Sequence, residues 1–138
     1  MINSVNVAQQ TVAVNGNVLF ATDRVCTNAC GCGGTIQHDT GSGQYILAKP
    51  GIYEVEFNAN VSAAAAGATA LAIRSNGENV GGTEMDYTVV TANTFQSVSA
   101  STLIRVPCGA SKTITVGNVS PTVAALVKDA NIIIKRLA

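Results

Sequence analysis

From Ile52 to Val61 apolar and polar residues alternate without a break: Tyr53, Val55, Phe57, Ala59 and Val61 fall on one side of an extended chain, and Glu54, Glu56, Asn58 and Asn60 on the other. A period of two is that of a strand with one buried face. The pattern returns from Phe95 to Val106, with Val98, Ala100, Thr102, Ile104 and Val106 on one face and Ser97, Ser99, Ser101 and Arg105, joined by Phe95 and Leu103, on the other. Lys112–Val116 reads as a shorter strand, and Asn131–Leu137 as the last. In that last strand Ile132, Ile133 and Ile134 place apolar groups on both faces, which predicts a central strand covered on two sides.

Gly and Asn punctuate these runs. Asn15-Gly16 and Asn76-Gly77 are preferred pairs for two-residue type I′ hairpins, since both central positions need positive φ. The first predicts a hairpin of Thr11–Val14 with Asn17–Phe20, the second a hairpin of Thr69–Ser75 with Asn79-Val80. Pro50-Gly51 supplies the φ values of a type II turn ahead of the long strand. Ala63–Ala66, closed by Gly67, is too short to nucleate a helix and reads as a loop. The sum is about eight to ten strands with no long helix, an antiparallel sandwich. Residues 11–138 form its single domain, and the polar residues 1–10 read as a flexible arm, with Val5 and Val7 placed to add to a partner's sheet.

Composition sharpens this. Val (17) and Ile (10) far outnumber Leu (6), and 14 Thr add to the β-branched total, a bias that favours sheets over helices. At 138 residues the chain is long enough for one core. Eight basic and eight acidic residues give a net charge of zero, without the footprint of a nucleic-acid or anionic-membrane binder. Only 12% of residues are charged while 47% are hydrophobic, so part of the surface is expected to be covered in an assembly. Aromatic residues are 4%, which counts against a sugar platform or a base-stacking surface. Met1–Gln10 has no basic stretch followed by an apolar one, so no secretory signal is read there, and no apolar run is long enough to span a bilayer.

Catalytic chemistry is sparse, and no catalytic residue is assigned. The single histidine, His38, has Asp39 and Ser42 close in sequence, but a triad is a spatial arrangement, and His38 reads as a turn or interface residue. Phosphate-loop, dinucleotide and zinc-protease patterns are absent from the sequence. Cys26, Cys30 and Cys32 sit in a Gly-rich stretch, with Cys108 far along the chain. Four thiolates could close a zinc site, although the spacing lacks two Cys-x-x-Cys knuckles; a disulfide from Cys108 to one of the other three and reduced thiols stand beside it as alternatives. Asn60-Val-Ser62 and Asn118-Val-Ser120 match the glycosylation pattern and are read as chance matches.

The order of segments resembles the compact jelly roll of the tumour necrosis factor and complement globular-head superfamily. The residues that carry the likeness are Gly51–Asn60, Leu71–Glu78, Ser101–Pro107 and Asp129–Ala138. The closing Asp129–Ala138, with Ile36–Gly43 and Val106–Gly109, is similar in particular to the small versions encoded by phages and prophages of Firmicutes, which are head decorations and head fibres. The resemblance implies a homotrimer, with Tyr53, Phe57, Ile132, Ile133 and Ile134 as core or trimer contacts. It further implies a non-enzymatic virion protein assembled in the host bacterial cytoplasm and docked on the major capsid protein or another virion protein. A carbohydrate- or receptor-binding module on a fibre tip or a cell or spore surface, reading a host surface glycan, is the alternative.

Overall fold

The computed structural model describes residues 1–27 and 34–138, and among these it contains strands and no helix. In chain order the strands are β1 (Ile2–Asn6), β2 (Gln10–Val12), β3 (Thr22–Cys26), β4 (Ile36–His38), β5 (Tyr45–Leu47) and β6 (Gly51–Ser62). They continue as β7 (Gly67–Ser75), β8 (Glu78–Asn79), β9 (Met85–Val89), β10 (Gln96–Val106), β11 (Lys112–Asn118) and β12 (Ala125–Arg136). Every pairing is antiparallel. One sheet runs β10-β6-β12-β1-β3, with β2 also on β12; the other runs β4-β5-β11-β7-β8, with β9 also on β7. The expected sandwich is present, and short segments such as β2, β4 and β8 raise the strand count above the expected number.

Alternation on β6 works as the pattern requires. Tyr53, Val55, Phe57, Ala59 and Val61 are all buried, and across the ladder Ile132 pairs with Phe57 and Ile134 with Val55. Ile132 and Ile134 are fully buried, whereas Ile133 faces away, half-buried between Asn3 and Glu56. The central place of β12 matches the sequence reading. Its outward face, however, is uncovered by any strand of the chain among the described residues.

Three expectations change. The first ten residues are not an arm, because β1 lies between β12 and β3, with Ile2 and Ser4 buried and Asn3 Nδ2 donating to Asn131 Oδ1 at 2.6 Å. Two long ladders outweigh the polar composition of this segment. The Asn15-Gly16 turn forms, with Asn15 at φ 63° and the Gly16 N–H donating to the Ala13 carbonyl, but no hairpin follows. Instead β2 joins β12, whereas Asn17 and Val18 pair with Gly117 and Val116 in the other sheet, so this turn carries the chain between layers. Finally, Gly51 is required by more than a turn. A Cβ there would lie 2.2 Å from the Ala138 carbonyl oxygen, which accepts the Ile52 N–H as the chain end folds over the start of β6.

Candidate functional site

The one histidine sits at the end of β4 with its side chain fully enclosed, neither in a turn nor at the surface. Its Nδ1 is 2.7 Å from Asp23 Oδ1 on β3, and its Nε2 is 2.9 Å from the Ser42 carbonyl oxygen. The same Asp23 oxygen accepts the Ser4 hydroxyl from β1 at 2.5 Å. The imidazole stacks on the Tyr45 ring of β5, centroids 4.1 Å apart and planes within 9°. Four strands from both sheets thus converge on one polar cluster. Asp39 and the Ser42 hydroxyl, the neighbours in sequence, do not bond the ring. With both ring nitrogens engaged and no hydroxyl facing either, the cluster has the residue types of a nucleophilic triad without its geometry.

Tyr45 is fully buried, and its hydroxyl closes no hydrogen bond of ordinary geometry, since the Ser4 hydroxyl beside it is turned to Asp23. Burial pushes the Tyr45 phenol far above its usual range; Ser4 pulls it partly back and the Asp23 charge adds to the rise. Burial likewise raises Tyr53, partly offset by the Arg136 charge and by the hydroxyl's 2.7 Å bond to the Lys49 carbonyl. A phenol whose value is raised in the native state stabilises the fold below the unfolded value of about 10 and loses that contribution as pH rises beyond it. Phenolate absorbance from Tyr45 and Tyr53 is therefore expected to appear together with unfolding, well above pH ~10. Smooth titration of all tyrosines near the free value, with the fold intact, would contradict this.

The second candidate is the outward face of the sheet that contains β6. Leu103 lies opposite Glu54, and Glu54 in turn opposite Lys135, whose Nζ is 3.6 Å from Glu54 Oε2. One row on, Ile52 sits between Arg105 and Leu137, and the Leu137 N–H donates to the Ile52 carbonyl. Leu103, Ile52 and Leu137 are 62%, 41% and 54% exposed, an apolar patch bordered by charges at one end of the face. Towards the other end the face is polar, with Ser97, Ser99 and Ser101 along β10. β10 is also the sheet edge, eleven residues without a proline. An edge strand of this length is ready to pair unless something covers it.

No protein-family model matches the chain, and no curated protein sequence does. Solved structures do. The globular domain of zebrafish complement 1qA superposes with a TM-score of 0.72 at 11% identity, covering 99% of this chain and 96% of that one. The Eiger tumour necrosis factor of S. frugiperda gives 0.70 at 8% identity, covering 99% and 91%. Murine APRIL at pH 8.5 gives 0.55 at 9%, covering 92% and 96%. The fold is a C1q/TNF-type jelly roll.

At these identities the likeness is one of fold, and it bears out the jelly roll that the resemblance implies. Its phage part rests on sequence motifs alone. Within the C1q/TNF-type jelly roll, Tyr53, Phe57, Ile132 and Ile134 serve the core, while Ile133 is placed on the outward face. Of the cysteines, Cys26 ends β3, half-buried against the core, and Cys108 is exposed just after β10, the strand at the opposite edge of that sheet. No disulfide joins these two; Cys30 and Cys32 lie outside the described residues. Among the described residues no cluster of three or more His, Cys, Asp or Glu could hold a metal ion, and no helix is long and apolar enough to cross a membrane. The Asn118 side chain is buried, donating to the Val12 and Val123 carbonyls, so this glycosylation match is enclosed in the native fold.

The sequence reading missed the Asp23–His38 cluster. Its members stand at positions 4, 23, 38 and 45, with no common period, and only the isolation of a single histidine among strands marked it.

Proposed function

We propose that this jelly roll is a non-enzymatic bacteriophage virion protein, a homotrimer that decorates the capsid or forms a head fibre and contributes particle stability or surface adhesion. The observation that carries the reading is the outward face of the β6 sheet. It exposes Leu103, Ile52 and Leu137 beside an eleven-residue edge strand, on a chain with very few charges. A second copy of the chain is the occupant that this combination fits: apolar groups meet apolar groups, and the Arg105, Glu54 and Lys135 rim offers both signs of charge to an identical surface. The enclosed His38, with both ring nitrogens engaged, supports a role without catalysis. The phage setting is supported by the Asp129–Ala138, Ile36–Gly43 and Val106–Gly109 motifs, and the docking partner is the major capsid protein or another virion protein.

Two measurements test this. Native mass spectrometry of the purified chain is expected to give three chain masses, and a stable monomer would remove the homotrimer. Proteomics of purified virions is expected to find the chain beside the major capsid protein; abundant capsid protein without it would end the virion assignment.

A further inference from the structure

The cluster around His38 contains more hydrogen-bond acceptors than a neutral histidine can serve. A neutral imidazole has one N–H and one lone pair. The Ser42 carbonyl only accepts, so Nε2 carries a proton. Asp23 Oδ1 already accepts the Ser4 hydroxyl, so it too acts as an acceptor towards Nδ1 at 2.7 Å. We infer that Asp23 and His38 hold a proton between them and that this proton clasps the edges of the two sheets together, with the first strand tied in through Ser4.

The placement gives the proton its leverage. β3 and β4 are the edge strands of opposite sheets, and Asp23–His38 is a direct polar link between them. Ser4 joins β1, and the Tyr45 ring covers the flat face of the imidazole, where an aromatic face favours a cation. Loss of the proton would set the Nδ1 lone pair against a carboxylate at hydrogen-bond distance. Gain of a second one, on Asp23, would leave an enclosed imidazolium without its counter-charge. The clasp therefore loosens when this proton is lost and when a second one arrives. Of the other ionisable groups on the surrounding elements, Tyr45 is kept as a neutral phenol by burial, Cys26 packs against the core further along β3, and Arg24 and Asp39 point into solvent.

Nitrogen-15 NMR of the imidazole in the intact protein reads the proton directly, and both ring nitrogens are expected to be protonated at neutral pH. Amide-exchange protection of β1, corrected for the intrinsic rate, is expected to fall by about tenfold or more where the proton is lost and where a second one is gained, as for loss of a charge-assisted hydrogen bond. Asp23→Asn supplies a neutral donor to Nδ1 and removes the need for the extra proton, so its β1 protection should stay level where the parent protein's falls. A neutral tautomer with one protonated nitrogen at neutral pH, or β1 protection in the parent protein that does not change with pH, would overturn the inference. Both of these are read on the unmodified chain, so a poorly folding variant leaves the test intact.

Discussion

Phe20→Ala is expected to remove about 3–5 kcal/mol of stability, the range for deleting a buried phenylalanine, and so to consume a large share of the ~5–15 kcal/mol typical of a domain. Phe20 is fully buried and meets two other rings edge-on, Tyr45 at 5.7 Å and Phe57 at 6.3 Å between centroids. These rings come from opposite sheets, so Phe20 fills the space between the layers. Its backbone is fixed as well, its N–H donating to Ser42 and its carbonyl accepting from Gly41. With the backbone held and rings on both sides, the surroundings have little freedom to collapse into the space that alanine would leave. Urea unfolding followed by circular dichroism at a fixed protein concentration checks the value, with the exposed Val90→Ala as a control expected within ~0.5 kcal/mol of the parent protein. A loss below ~1 kcal/mol for Phe20→Ala would mean that the ring does not bridge the layers as described.

What could be read from the sequence, and what could not, divides along the range of the interactions. β6 was legible because its signal is local: five alternate apolar residues need a core, whichever strands lie beside them. The same holds for β10, and for the Asn76-Gly77 hairpin, where the turn and both flanking strands lie within a few residues and pair as expected. β1 was not legible, since Asn3, Ser4 and Asn6 look like solvent-exposed chain until their partners arrive from Asn131, Asp23 and the Leu19 carbonyl. The Asn15-Gly16 turn shows the middle case. Its dihedral preference was written locally, but the destination of each flank depended on which sheet had room. The Asp23–His38 cluster is wholly non-local, and a buried polar cluster of that kind has no periodicity to betray it. The outward face was legible residue by residue, through Leu103 among serines, but not as a patch, because Ile52 and Leu137 join Leu103 only through the register of three strands.

For the proposed homotrimer, that register makes Leu103 the position from which association is expected to break without unfolding the chain. Leu103→Lys is expected to leave the monomer folded, with stability within ~0.5 kcal/mol, because the side chain is 62% exposed and the new ammonium would stand opposite the Glu54 carboxylate. In an assembly the same ammonium would be carried into the contact between copies, where removing a charge from water costs several kcal/mol unless it is paired. Glu54 is already engaged by Lys135, so the pairing would be incomplete. The penalty recurs at each copy of a closed ring, and loss of the trimer at micromolar concentration is the expected result. Sedimentation of the parent protein and the variant side by side decides it. Three chain masses falling to one, with unchanged circular dichroism, places the copy interface on this face. A variant that stays trimeric moves the interface elsewhere and leaves Ile52, Leu103 and Leu137 for a different partner, of which the capsid surface is the first to test with purified virions.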